Sequence, residues 1–330
     1  MDNNNVILEV KNLTLKYVTD EGTVHAVNEL SFPLHKGKTL CIVGETGAGK
    51  TSTAKAIMGI LPQLQSRITS GEILLEGEDL LKASKKQMRR VRGSKISMIF
   101  QDPMTSLNPV VRVVDQVSEV LLLHKTKSRT EAVKMAKEVL LQVGIKEDRV
   151  GEYPHQFSGG MRQRVGIAMA LACSPEILIA DEPTTALDVT IQAQVLELMK
   201  ELKQQYEMSM IMITHDLGIV AEVCDYVAVM YAGRIIEYGD RTQIFMHAQH
   251  PYTIGLFGCI PDLTVAQDAL TPINGMPPDP TVEPKGCPFA PRCADATEAC
   301  FASIPPAVET EPGHFVHCVK FAKKEDTAHV

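Results

Sequence analysis

The sequence predicts an α/β fold with an antiparallel β subdomain, a parallel core sheet, a helical insert and a small irregular C-terminal tail. From Val6 to Leu34, apolar and polar residues alternate, which is typical of half-buried antiparallel strands. Short, nearly continuous apolar runs follow at 39–43, 177–180 and 210–214, and each precedes a helical pattern. Such runs indicate strands buried on both faces, as in a parallel sheet covered by helices.

The elements group into a domain over 1–239 and a tail over 240–330. Within the domain, strand signals fade at about 102–160, where we expect the helical insert. Its best helix starts at Ser128, which with Glu131 predicts a capping box. An apolar stripe made of Val133, Met135, Ala136, Val139, Leu140 and Val143 follows. In the tail, prolines are frequent between Pro261 and Pro291 and periodicity is weak.

Charge and hydrophobicity argue against two classes of protein, those that bind nucleic acids and those that span a membrane. The chain of 330 residues carries a net charge of −7, which argues against a nucleic-acid partner because phosphate-backbone binding needs clustered Lys and Arg. No apolar run approaches the roughly 18–20 residues of a transmembrane helix, and the first residues do not resemble a secretory signal. We therefore expect a chain in the cytoplasm, with any membrane role supplied by partners.

A phosphate-binding loop is predicted between a buried strand and a helix. Residues 44–51 read Gly-Glu-Thr-Gly-Ala-Gly-Lys-Thr and match G-x-x-x-x-G-K-[ST]. Such a loop turns its amides toward phosphate, the lysine reaches the β- and γ-phosphates, and the hydroxyl after it binds Mg²⁺. The predicted nucleotide-binding residues of this loop are Gly44, Glu45, Thr46, Gly47, Ala48, Gly49, Lys50, Thr51 and Ser52, with Thr51 on the metal.

Two carboxylates end the buried strand at 177–180. Ligands gather at the carboxyl ends of strands in open α/β sheets, so Asp181 and Glu182 are candidates for the ATP site. We predict that Asp181 orients Mg²⁺ and that Glu182 polarises the water that attacks the γ-phosphate.

A further motif resembles one superfamily. Phe157-Ser-Gly-Gly-Met161 followed by Arg-Gln-Arg is similar to the signature motif of ATP-binding-cassette (ABC) ATPases, a family of P-loop NTPase cassettes. The resemblance implies that Ser158, Gly159 and Gly160 face the nucleotide of a second cassette, so that two chains sandwich two ATP molecules. Phe157 and Met161 depart from the commonest Leu-Ser-Gly-Gly-Gln form; the missing glutamine side chain affects one polar contact but not the backbone contacts.

The same resemblance implies roles for four scattered residues. Gln101 resembles the glutamine that touches Mg²⁺ and responds to the membrane partner, and Asp188 resembles an aspartate at the dimer interface. His215 resembles the histidine that contacts the γ-phosphate, so Glu182, His215 and Gln101 form the implied catalytic set. Tyr17 resembles the aromatic residue that stacks on adenine.

The eight cysteines fall into two groups. Cys41, Cys173, Cys224 and Cys259 are isolated, and we interpret them as buried free thiols with the packing role of small apolar residues. The other four, Cys287, Cys293, Cys300 and Cys318, cluster in a tail that has little core of its own. Four thiolates suit a [4Fe–4S] cluster or a structural Zn²⁺, although close C-x2-4-C pairs, usual for zinc, are missing; free thiols are the third alternative.

The tail also resembles that of the ATPase subunits of oligopeptide/dipeptide permeases. The resemblance rests on His250-Pro-Tyr-Thr and on the residues around Cys287 and Cys293, and some of these relatives hold such a cluster. It implies an ATPase that powers peptide import from the cytoplasmic face of the membrane. The implied partners are a second, related ATPase subunit, two transmembrane permease subunits and an extracytoplasmic solute-binding protein. The alternatives are import of nickel or another small solute, a soluble cassette protein outside transport, and a non-catalytic sensing module.

Overall fold

The computed structural model describes residues 5–20, 22–102, 106–185, 187–258 and 273–322. The chain divides into two compact units. The first consists of Met1–Pro33, Leu40–Asp79 and Thr214–Val330, and the second of Leu34–Thr39 and Leu80–Ile213. The first unit contains the phosphate-loop sequence and the tail, and the second contains the Asp-Glu pair and the signature sequence. The predicted boundary at 239/240 is a different division of the chain and stays a prediction.

The described secondary structure is as follows. The strands are β1 (Val6–Thr19), β2 (Gly22–His35), β3 (Thr39–Val43), β4 (Ser66–Leu75), β5 (Glu78–Asp79), β6 (Ile96–Ile99), β7 (Ile177–Asp181), β8 (Ser209–Ile213), β9 (Tyr226–Tyr231), β10 (Arg234–Asp240), β11 (Val308–Glu311) and β12 (His314–Val316). The helices are α1 (Lys50–Met58), α2 (Lys85–Val91), α3 (Val113–His124), α4 (Arg129–Gln142), α5 (Gly159–Leu171), α6 (Val189–Gln205), α7 (Leu217–Val223), α8 (Arg241–Met246), α9 (Pro251–Gly258) and α10 (Glu298–Ala302).

The predicted antiparallel subdomain is confirmed as a sheet with strand order β2-β1-β4-β5, in which β1 and β4 run antiparallel. Its buried positions change phase partway along β1, from Leu8 and Val10 to Leu13 and Leu15. The change coincides with register shifts after Lys11, because an extra residue in one strand turns the following side chains to the other face. The alternation of apolar and polar residues in the sequence therefore matches the alternation of buried and exposed side chains, but its phase changes at these register shifts.

The strands that carry the phosphate loop and the tail also belong to the first unit. There β3 pairs in parallel with β9, and β9 pairs antiparallel with β10. The tail returns to this sheet, because β12 pairs with β10 and β11 pairs with β12, both antiparallel. All five residues of β3 are buried, as the continuous apolar run predicts.

The second unit contains a parallel sheet in the order β8-β7-β6. All residues of β7 and β8 are buried, which confirms the prediction of strands covered on both faces. Helices occupy the predicted insert, with α3 and α4 as its longest elements.

The predicted capping box at the start of α4 forms only in part. The Ser128 side chain accepts a hydrogen bond from the Glu131 backbone N–H at 3.4 Å. The Glu131 carboxylate, however, accepts from the Thr126 hydroxyl. On the apolar stripe, Ala136, Leu140 and Val143 are buried, whereas its other three members are half-buried.

The interpretation of the isolated cysteines was wrong for two of them. Cys41 and Cys224 are buried as predicted, but they form a disulfide with their Cα atoms 5.8 Å apart. The reason is topological, since β3 lies beside β9 and Cys224 lies two residues before the start of β9. Cys173 is a buried free thiol as predicted, and Cys259 lies outside the described residues.

Within the described ranges, none of the helices combines the length and the apolar character that crossing a membrane requires.

Candidate nucleotide-binding site

The phosphate loop joins the buried strand β3 to α1. Gly44 has φ 150°, and a Cβ there would collide with the backbone carbonyl of Met230. Gly49 has φ 99°, and a Cβ there would collide with the carbonyl of Ala26. Both positions therefore require glycine for the backbone angle and for the close approach of a neighbouring strand. Glycine at these two positions therefore lets the loop curl closely against the backbone of Met230 and Ala26.

Lys50 begins α1 with its side chain folded back over the loop. It is 7% exposed, and its Nζ donates hydrogen bonds to the carbonyl oxygens of Gly44 at 2.6 Å and Glu45 at 3.0 Å. Thr51 and Ser52 are half-buried in the first helical turn. This turn has the positive end of the helix dipole, so a cation and the first helix amides lie where an anion can bind.

Tyr17 contacts the helix that follows the loop. Its hydroxyl donates a hydrogen bond to the Ser52 Oγ at 3.3 Å, and its ring is half-buried. Thr46 and Gly47 are exposed at the tip of the loop, whereas Ala48 is buried beneath it.

In the second unit, Asp181 and Glu182 lie at the carboxyl end of β7. Asp181 is 2% exposed and stands opposite Ile213 in the parallel pairing with β8. Glu182 leaves the strand in a left-handed conformation, φ 46°, while its N–H donates to the Ile213 carbonyl at 2.8 Å. This conformation is uncommon for a residue with a Cβ. His215 belongs to the first unit; it follows two residues after β8 in the chain, and its side chain is exposed.

The Glu182 carboxylate is oriented by two neighbours. The Gln101 side-chain amide donates to its Oε2 at 2.8 Å, and the Thr185 hydroxyl donates to the same oxygen at 3.0 Å. Gln101 and Glu182 are thus brought together, although they are 81 residues apart. Sequence reasoning missed Thr185, whose only signal was a hydroxyl three residues after the carboxylate.

The signature sequence opens α5. Ser158 is its N-cap and accepts from the Met161 N–H at 3.4 Å. A Cβ on Gly160 would lie 2.5 Å from the Ile191 side chain of α6, so glycine permits the two helices to pack closely. Gly159 is exposed at the first helical position. Asp188 caps α6 by accepting from the Ile191 N–H at 3.0 Å.

A single arginine contacts both residues at which the signature departs from the commonest form. Phe157 is buried, and the Arg149 guanidinium lies 5.0 Å from the centre of its ring. Arg149 also donates to the Met161 sulfur at 3.2 Å and is itself held by Glu152 at 2.6 Å. Sequence reasoning did not single out Arg149.

The four tail cysteines line one cavity of about 140 Å³, together with His250 and Phe289. Burial raises the pKa of the Cys287 thiol to about 11, and it also raises the pKa of the thiols of Cys293 and Cys318. Burial lowers the pKa of His250 to about 3, which keeps its ring neutral. Among the residues that the structure describes, no three His, Cys, Asp or Glu side chains converge at metal-holding distance. The four cysteines therefore line the same cavity, but their thiols do not converge at the distances that a shared metal ion requires.

Comparisons with known proteins agree with this geometry. Residues 27–185 match the family described as ABC transporter, and residues 236–300 match the C-terminal region of oligopeptide/dipeptide transporters. The dipeptide transport ATP-binding protein DppD of Bacillus subtilis is 53% identical over 314 residues, 94% of either chain. The oligopeptide transport ATP-binding protein OppD of Escherichia coli is 50% identical over 316 residues, which span 95% of this chain and 93% of that one.

Among solved structures, the dimeric ATP-binding cassette MJ0796 bound to ADP and Pi superimposes with a TM-score of 0.64 and 26% identity. The match covers 71% of this chain and 98% of that one. A cassette fold that carries the phosphate loop, the Asp-Glu pair and the signature helix thus continues into a peptide-transporter tail. The chain belongs to the ABC family of ATPases, in the branch of the oligopeptide and dipeptide transporter ATP-binding proteins.

Proposed function

We propose that the chain binds and hydrolyses ATP to power the import of di- and oligopeptides through partner membrane subunits. The observation that carries the proposal is the likeness over nearly the full length to peptide transport ATP-binding proteins, in the cassette and in the tail. The carboxylate of Glu182, held by Gln101 and Thr185 beside the buried Asp181, supports the hydrolytic part.

Each site residue has a role that its chemistry suits. Lys50 and the loop amides bind the β- and γ-phosphates, and Tyr17 stacks on the adenine. Thr51, Gln101 and Asp181 would hold Mg²⁺, which when bound would neutralise the charge that develops in phosphoryl transfer. Glu182 polarises the attacking water, and His215 contacts the γ-phosphate.

The signature helix serves a second ATPase subunit. The exposed start of α5 offers the amides near Ser158, Gly159 and Gly160 to the γ-phosphate bound by that subunit, with Asp188 at the interface. We infer that this subunit is a related chain. Two transmembrane permease subunits and an extracytoplasmic solute-binding protein complete the assembly, in which this chain is peripheral on the cytoplasmic face of the membrane.

The proposal extends to a [4Fe–4S] cluster in the tail. Four thiols that line one cavity are the donor set that such a cluster requires, and Cys287, Cys293, Cys300 and Cys318 would hold it after the thiols draw closer. A bound cluster would supply a staple for a small unit and a one-electron redox group. Anaerobically purified protein is expected to show acid-labile sulfide and broad visible absorbance. Protein with bound zinc and without sulfide would identify a structural zinc site instead.

Peptide uptake tests the main proposal. Cells that lack the chain receive either the native sequence or Glu182→Gln, and uptake of labelled di- and oligopeptides is measured. We expect that only the native chain restores uptake, and that purified Glu182→Gln binds ATP but turns over at least about 100-fold more slowly, because it lacks the base that positions the water. Uptake that never depends on the chain would reject the peptide substrate, and nickel uptake in the same cells would then identify the alternative solute.

A further inference from the structure

The tail reaches the phosphate loop through one buried side chain. The Arg292 side chain is 6% exposed, and its Nη1 donates to the Glu45 carboxylate at 2.9 Å and to the Tyr231 hydroxyl at 3.1 Å. Its Nε donates to the Asn274 carbonyl at 2.9 Å. Glu45 is the second residue of the phosphate loop. A residue 247 positions away in the sequence thus holds the loop by a charged hydrogen bond.

A cluster of aromatic rings supports this contact. The Phe289 ring lies 5.4 Å from the rings of both Tyr231 and Tyr252. The Tyr252 hydroxyl accepts a hydrogen bond from the Glu45 N–H at 3.0 Å. Glu45 is therefore held at its backbone by α9 and at its carboxylate by the turn Ala290–Arg292. Because Tyr252 and Phe289 are buried, close packing fixes the position of the Tyr252 ring, which contacts the loop.

The charge of Glu45 makes this contact important for ATP. A carboxylate within a loop that binds polyphosphate repels its ligand, since like charges at short range oppose each other strongly away from bulk water. Lys50 contacts the Glu45 carbonyl oxygen at 3.0 Å, whereas Arg292 contacts the carboxylate itself. The Arg292 guanidinium thus neutralises a charge that the loop carries in its own sequence.

We propose that Arg292 is a positioning residue for the phosphate loop, through which the tail completes the ATP site. By pairing with Glu45, it neutralises the carboxylate of the loop and fixes the curvature of the loop before ATP arrives. The inference rests on the proposed ATP binding by this loop. It is independent of the transported solute.

The test compares Arg292→Ala with the double variant Arg292→Ala/Glu45→Gln. ATP binding to the purified full-length chain is measured by calorimetry, and ATPase turnover is measured in the assembled transporter. For Arg292→Ala we expect the Kd and the KM for ATP to rise by about tenfold or more, with kcat much less affected, because a charged pair is broken and one charge is left next to the ligand. The added Glu45→Gln change is expected to recover most of the lost affinity, which a merely structural role of Arg292 would not allow.

Two further variants keep the test decisive. Lys11→Ala, which removes the cation from a Lys–Glu pair of 3.0 Å on β1, is the control and should retain the native Kd. If Arg292→Ala does not fold, Arg292→Lys replaces it, with a smaller rise in Kd that Glu45→Gln again reverses. A native Kd in the arginine variants, or a loss that Glu45→Gln does not relieve, would overturn the inference. Failure of the native chain to bind ATP would instead reject the proposed function.

Discussion

The Glu182 side chain, which we propose polarises the attacking water, is oriented by its neighbours. It leaves β7 in a left-handed conformation, and its carboxylate then accepts from Gln101 and Thr185 on the same oxygen. Two donors to one oxygen restrict the rotation of the carboxylate, so less ordering is needed when ATP and water bind.

Thr185→Val is expected to lower ATPase turnover by about tenfold without changing ATP affinity. The variant keeps the shape of the side chain but removes a hydrogen bond to a charged group, and a loss of about 1.4 kcal/mol in the transition state corresponds to that factor. Thr185→Ser, which keeps the hydroxyl, is the control and should stay within about twofold of native turnover. Native turnover in the valine variant would show that the Thr185 hydroxyl is not needed to orient Glu182.

Among the secondary-structure elements, those that depend on residues close together in the sequence could be predicted from it. The strands β3, β7 and β8 and the loop that opens α1 followed from short apolar runs and one motif. The Arg149–Phe157 contact and the Cys41–Cys224 disulfide did not, because each depends on which distant or irregular segments the fold brings together. Arg292 belongs to the same class, since nothing near it in the sequence points to Glu45.

The start of α5 is expected to depend on Arg149. Arg149→Ala removes the contacts to Phe157 and to the Met161 sulfur, so the backbone amides of the first turn of α5 should exchange hydrogen faster. The ATPase turnover of the assembled transporter should fall by about three- to tenfold. Arg129→Ala, at a position whose side chain is 83% exposed, should change neither quantity. Unaltered exchange at 159–161 in Arg149→Ala would show that the helix start does not depend on Arg149.

For the whole molecule, the tail is joined to the cassette by a sheet and by a buried polar cluster. The pairing of β12 with β10 places His314 near Glu237, and both side chains are fully buried, with the His314 Nε2 2.8 Å from the Glu237 carboxylate. The same carboxylate accepts from the backbone N–H groups of Gln249 and His250, at 2.7 and 3.0 Å. One acidic side chain of β10 thus holds the tail strand and the start of α9, the helix that supplies Tyr252 to the phosphate loop.

Glu237→Ala is therefore expected to release the tail. It leaves two backbone donors and one imidazole buried without their acceptor, which we expect to lower the free energy of unfolding by about 3 kcal/mol or more. Thermal unfolding should begin at a lower temperature, and limited proteolysis should cut after β10 sooner than in the native chain. Glu311→Ala is the matched control, because that carboxylate is 45% exposed and lies 3.9 Å from His247. Since α9 also carries Tyr252, Glu237→Ala should weaken ATP binding as well as the contacts of the tail. If the tail is cut readily but the affinity for ATP stays native, the phosphate loop does not depend on the contacts between the tail and β10.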